Sequence, residues 1–178
     1  MMDRAYGPRK RRRAKAAPIY YGPKPEMKSK VTDISHTSST FSNTLPNYVA
    51  NGAEEDQRIG RKIKIWAIEG TVRNDTNSSP LRLTMFVPKN TGTTLPTGGF
   101  TAVNPTNLYW IIKDWWLHTG TLNNSLGHNF RIKLPYGLVT EFDGPLSGNV
   151  EKNKLVLSIL ADGAVTVNGQ VKIYYTDV

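Results

Sequence analysis

The chain has 178 residues, a formal net charge of +9, 38% hydrophobic residues and no cysteine. That length holds one ordinary domain plus an appendage, and the missing cysteines exclude disulfides, thiolate nucleophiles and cysteine-ligated zinc. With no apolar run long enough for a bilayer and no N-terminal apolar stretch of a signal peptide, a soluble intracellular product with no membrane partner is expected.

The charge is segregated. Residues 1–30 carry ten Lys/Arg against Asp3 and Glu26, a net of +8, while residues 31–178 carry thirteen against twelve acids, a net of +1. Four prolines and the run Arg9-Lys10-Arg11-Arg12-Arg13-Ala14-Lys15 fall in the first segment. Like charges at that density repel, and nothing beside them could form a core, so residues 1–30 are expected to be a disordered arm. Guanidinium groups pair with phosphates through a planar fork of donors, and each phosphate neutralised releases counterions. Arg4, Arg9, Lys10, Arg11, Arg12, Arg13 and Lys15 are therefore the candidate nucleic-acid contacts, made to backbone with little sequence preference. The same run also suits a nuclear-localisation signal, and the two readings are compatible. Pro18-Ile19-Tyr20-Tyr21-Gly22-Pro23 reads as the hinge, its tyrosines packing on the body or stacking on bases.

From residue 31 onward, runs rich in Val, Ile, Thr, Tyr and Trp alternate with clusters of Gly, Pro, Asn and Asp. The pattern predicts eight strands, near 31–41, 61–73, 81–88, 108–118, 128–134, 137–142, 154–161 and 170–176. Leu81, Leu83, Met85 and Val87 share one face, as do Phe130, Ile132 and Leu134, and as do Val171, Ile173 and Tyr175. Ile63 and Ile65 sit on the opposite parity from Ile68 and Val72, which predicts a bulge near Trp66-Ala67. No segment keeps a 3.6-residue period, so helix is at most a short turn. Eight antiparallel strands in residues 31–178 imply an all-β domain, a two-sheet jelly roll or a closed barrel. The long loops at 42–60 and 89–107 favour the jelly roll and suggest contacts with something else.

Tyr109-Trp110 and Trp115-Trp116 pose a conflict. Adjacent strand residues point to opposite faces, so one member of each pair must leave the core. Soluble monomers avoid such exposed aromatic surface. Burial of Tyr109, Trp110, Trp115 and Trp116 against another subunit resolves it, since aromatic residues dominate interface energetics. Stacking on bases, a sugar platform or plain core packing are the alternatives. Enzymatic signals are thin: His36, His118 and His128 lack metal-ligand spacing, and neither a Gly-rich phosphate loop nor a G-x-S-x-G elbow is present. No catalytic residue, cofactor or metal is assigned. Glu54-Glu55-Asp56 reads as a solvated loop beside Arg58 and Arg61, with calcium ligation the alternative.

The stretch from Glu55-Asp56-Gln57-Arg58-Ile59-Gly60 into Arg61–Val72 resembles one in capsid proteins of small circular Rep-encoding single-stranded DNA viruses (circovirus-like) and satellite-necrosis-type viruses. There a D-x-R-x-G turn leads into an isoleucine-patterned strand. Leu81–Pro88 is similar to the next strand of that family, and Ile111-Ile112-Lys113-Asp114 to its L-x-D strand. Leu155–Asp162 and Val171–Asp177 resemble its paired C-terminal strands, ending in Y-Y-x-D. The likeness covers most of residues 50–178 and departs at 89–107 and 108–118. It implies a single jelly roll in the smallest icosahedral shell of identical subunits. It further implies packaging of a genome by the arm, single-stranded DNA being preferred over RNA, residence in the virion, and nuclear entry through host import machinery. Two other classes stay open: a jelly-roll lectin using exposed tryptophans, and a cellular nucleic-acid-binding module on an OB-like barrel.

Overall fold

The computed structural model describes residues 26–75, 80–90, 107–117, 127–144 and 149–178. The arm candidates Arg4 to Lys15, the Pro18–Pro23 hinge, His118 and residues 91–106 lie outside the described residues. The elements in chain order are β1 (Lys28–Thr44), a 3₁₀ turn (Leu45–Tyr48), β2 (Lys62–Asn74), β3 (Leu81–Pro88), β4 (Tyr109–Leu117), β5 (His128–Phe142), β6 (Val150–Lys152) and β7 (Val156–Asp177). All named strands pair antiparallel.

The register reveals how the chain is wound. β7 changes partners part-way along. Val156–Ala161 pairs with β3, whereas Val167–Asp177 pairs with β2. β1 follows the same bend, its Thr40–Thr44 part on the first half of β7 and its Lys28–Ser38 part on the second. At the bend Ser39 alone faces the four-residue bulge Ala161-Asp162-Gly163-Ala164, and Gly163 takes φ +111°. One layer is thus β4, β3, the first arm of β7 and the end of β1. The other is the start of β1, the second arm of β7, β2 and β5, with β6 on its edge. Counting both arms of β1 and β7, and leaving out β6, eight arms pair first with eighth, second with seventh, third with sixth and fourth with fifth. That is one antiparallel ribbon rolled up on itself, which is the jelly-roll winding. The protein is an all-β antiparallel jelly roll.

The hydrophobic pattern explains why the layers close. Leu81, Leu83, Met85, Val87, Leu157 and Ile159 from one layer meet Ile63, Ile65, Ile68, Val72, Phe130, Val171, Ile173 and Tyr175 from the other in a single buried cluster. Ile132 and Leu134 pack against it from its margin. The bulge expected in β2 is present: Ile65 faces Tyr175 and Ala67 faces Tyr174, so Trp66 is the extra residue. Extra length at that point rotates the strand, which returns both isoleucine parities to the core.

Three strand assignments differ from the sequence reading. The segments 128–134 and 137–142 form one strand, because Lys133 faces Ala67 and Leu138 faces Ile65, with Leu134–Gly137 as extra residues between them. Pro135 has no N–H to give the ladder, and Gly137 accepts φ +65°, so the chain makes a blister rather than a turn. The segments 154–161 and 170–176 do not pair with each other. They are consecutive arms of β7, and each pairs with β1. The segment 31–41 belongs to a longer strand that starts at Lys28, ahead of the expected arm boundary, and β6 is too short to have shown a period. The 42–60 loop is also less free than expected. Leu45 and Val49 are buried, and Arg58 exchanges backbone hydrogen bonds with Ala50 and Gly52.

Candidate assembly surface and arm root

β4 lies at the edge of its layer, paired with β3 on one side only among the described residues. Its aromatic pairs split as strand geometry demands. Tyr109 is buried, edge-on to Phe86 at 4.9 Å, and Trp115 packs on the main core against Phe130 at 5.2 Å. Trp110 and Trp116 stay 54% and 46% exposed. Tyr109 and Trp115 are therefore used inside the chain, and the physical reason is a second core. β3 is buried on both faces, its outer face supplying Phe86 to a small cluster with Tyr109, Val156 and Ile111. Of the four aromatic candidates, Trp110 and Trp116 are the exposed ones.

Beside Phe86 the same outer face is polar. Arg82, only 5% exposed, sits directly opposite Trp116 in the register, and Thr84 sits opposite Asp114. The Arg82 guanidinium grips Asp114 with both ends of its fork, Nε to Oδ1 at 3.0 Å and one terminal nitrogen to Oδ2 at 2.7 Å. The Thr84 hydroxyl donates to the same carboxylate at 3.0 Å. Burial pushes the Asp114 carboxyl up, but these hydrogen bonds and the guanidinium charge outweigh it and leave the group below its ordinary value. The guanidinium carbon lies 4.6 Å from the centre of the Trp116 ring. Sequence reasoning missed Arg82. Its only signal is a charge inside an otherwise apolar run, and its partner becomes visible once β3 and β4 are put in register.

The second cluster lies at the start of β1. Lys28 Nζ lies 2.9 Å from Asp177 and donates to the Gln57 carbonyl at 2.9 Å, while Lys30 lies 2.5 Å from Asp56. Asp177 also accepts the Ile59 N–H at 3.0 Å. Arg58 is fully buried, its guanidinium 3.8 Å above the Phe142 ring and donating to the Gly60 carbonyl. Burial pulls the Arg58 guanidinium below its usual value, against the opposing pull of Asp177 and Tyr175. The neighbouring Tyr175 phenol, buried without a hydrogen-bond partner, is pushed well up, chiefly by burial. Asp56, Arg58 and Gly60 each have a distinct structural role. Asp56 holds Lys30, Arg58 caps the core, and Gly60 takes φ +85°. Asp56 pairs with Lys30, and Glu54 accepts from Gln57 at 2.8 Å. Two of the ten basic residues within residues 1–30, Lys28 and Lys30, are thus ion-paired with Asp177 and Asp56.

His36 stacks on Phe41 at 4.3 Å and His128 stands edge-on to Trp115 at 5.6 Å, both among aromatic neighbours. Among the described residues no group of three or more His, Asp or Glu side chains could hold a metal ion.

No protein-family model and no curated protein matches the chain. Solved structures with a similar course include a Bacillus endospore appendage from a family of disulfide-linked pili. It has 15% identity, covers 93% of this chain and 100% of its own, and gives a TM-score of 0.42. The 60-mer BFDV capsid protein has 7% identity, 86% and 94% coverage and a TM-score of 0.42. Infectious bursal disease virus, Gx strain, has 10% identity, covers 89% of this chain and 36% of its own, with a TM-score of 0.27. Likenesses this distant leave function to be read from the register and the charge distribution.

Proposed function

We propose that the chain is a viral coat protein that assembles with copies of itself into a small icosahedral shell and packages single-stranded nucleic acid, DNA by preference, through its basic arm. The observation that carries this reading is a jelly-roll body of nearly neutral charge joined, at a fixed ion-paired root, to a segment holding the surplus positive charge. A body of this kind needs no such arm to fold, and a lectin has no use for the Arg9–Lys15 run. An OB-like module would bind on its barrel, whereas here the surplus charge falls within residues 1–30 of the sequence. Closed assembly multiplies the arms, so weak phosphate contacts act together. The exposed Trp110 and Trp116 of β4 are the aromatic surface offered to neighbouring subunits, and the Arg9–Lys15 run additionally suits nuclear import in a host cell.

With Lys28 and Lys30 held by carboxylates, about eight arm cations remain for phosphates, so log affinity for single strands should fall against log salt with a slope of roughly −5 to −6. Removing residues 1–25 should leave a folded body and flatten that slope towards zero. A truncated chain that takes up nucleic acid with the slope of the full chain would overturn the arm's role.

A further inference from the structure

β2 and β5 are irregular at the same level of the second layer. Trp66 is the extra residue of β2 and Leu134–Gly137 are the extra residues of β5, both between the pairs Ile65–Leu138 and Ala67–Lys133. Bulges re-aim side chains, and these two are built against each other. The Trp66 indole N–H donates to the Thr176 hydroxyl at 3.1 Å, and the Lys64 ammonium stands 4.3 Å over the Trp66 ring. The Lys64 stem then lies against Gly137, where a Cβ would fall 2.5 Å from its Cε and 2.8 Å from its Cγ. Glycine at φ +65° closes the blister at that point. The side chain this framework presents is Tyr136, at 90% exposure the most exposed large apolar residue among those described.

The charge around the blister says what suits that ring. Lys133 directly precedes it and Lys64 faces Val139 just beyond it. Neither lysine has an ion pair among the described residues, whereas the carboxylates of Glu69 and Glu141 are each 3.8 Å from a cation, Arg131 and Lys62. An uncovered aromatic ring between two unpaired cations matches a polyanion that carries flat bases, since every base has a face to stack. Two copies of this face meeting each other would bring like charges together. We infer that Tyr136 is a base-stacking platform for single-stranded nucleic acid on the body of the protein, with Lys64 and Lys133 supplying the positive field that draws the strand there. The inference rests on the nucleic-acid-binding reading above and adds a contact of a different kind. The arm's cations meet phosphates, whereas the tyrosine requires a base. One stacked base supplements the arm and does not replace it.

The test compares two probes on the full-length protein, a fluorescent thymidine oligomer and an abasic oligomer of the same length, by anisotropy below the concentration at which the chain assembles. Tyr136→Ala should weaken binding of the thymidine oligomer about fivefold or more. The melting temperature should not change, because the ring is exposed, and neither should the salt dependence, because no charge is lost. Tyr136→Phe keeps a ring to stack and should bind as the parent does. The abasic oligomer should bind the parent and Tyr136→Ala alike. An unchanged affinity of Tyr136→Ala for the thymidine oligomer, or an equal loss with both oligomers, would overturn the stacking role and leave the arm's role standing. Loss of assembly by Tyr136→Ala with its binding of the thymidine oligomer intact would overturn it too, and would give the tyrosine to a second copy of the chain. A parent that binds neither oligomer would overturn both readings.

Discussion

His128 opens β5 with its Nε2 buried and without a hydrogen-bond partner, facing the rings of Trp115 and Phe130. Burial lowers its pKa from the ordinary value of 6.5. The folded state thus favours the neutral ring, so its contribution is present in full above about pH 6.5 and fades as pH falls below that value. The urea midpoint of the assembly-free protein should drop between about pH 7.5 and 5.5, and His128→Phe should remove most of that drop. Asp114 titrates in the acid range below this window, so the two contributions separate. At this scale the sequence was legible where a residue answers to strand parity. One member of each adjacent aromatic pair, Trp110 and Trp116, is exposed, as the reading of strand alternation expected. It was not legible for Tyr109, whose burial depends on Phe86 from a different strand, nor for Arg82, whose partner sits thirty-two positions away. Pairings across a ladder are properties of register, which single residues do not announce.

At the scale of elements, the glycines of the second layer set how closely its strands approach. A Cβ on Gly169 would strike the Thr71 carbonyl and lie 3.0 Å from Val72 Cα, both backbone atoms that cannot move aside. Gly169→Ala should therefore cost about 3 kcal/mol, the upper end for overpacking, measured by urea denaturation. A cost under about 1 kcal/mol, the lower end of that range, would mean that β2 and the second arm of β7 are less tightly apposed than the register shows. Most elements were legible because their apolar residues alternate: β3 and the bulged β2 fell where the pattern put them. The merged strands were not. Leu134-Pro135-Tyr136-Gly137 has the composition of a turn, and Ala161-Asp162-Gly163-Ala164 likewise, yet both are bulges. The strands on either side keep the same partners, β2 in one case and β1 in the other. Turn chemistry tells where a chain bends and not whether it reverses.

For the whole molecule, the ion pairs at the arm root separate two truncations that look alike in sequence. Removing residues 1–25 should leave the melting temperature unchanged, since β1 stays whole. Removing residues 1–30 takes away Lys28 and Lys30 and with them the ion pairs to Asp177 and Asp56, a loss of about 1–2 kcal/mol for two partly exposed pairs. Strand β1 begins at Lys28, inside the segment that composition alone grouped with residues 1–30. The eight-arm winding was legible as a class, through strand number and alternation, while the sharing of β1 and β7 between layers emerged only from register. The central claim is that this jelly roll is a subunit completed by its own copies around nucleic acid. Electron microscopy of the full-length protein mixed with single-stranded DNA at low salt tests it most directly. Uniform closed particles that lose their nucleic acid when residues 1–25 are removed are expected, and a monodisperse monomer under the same conditions would contradict it.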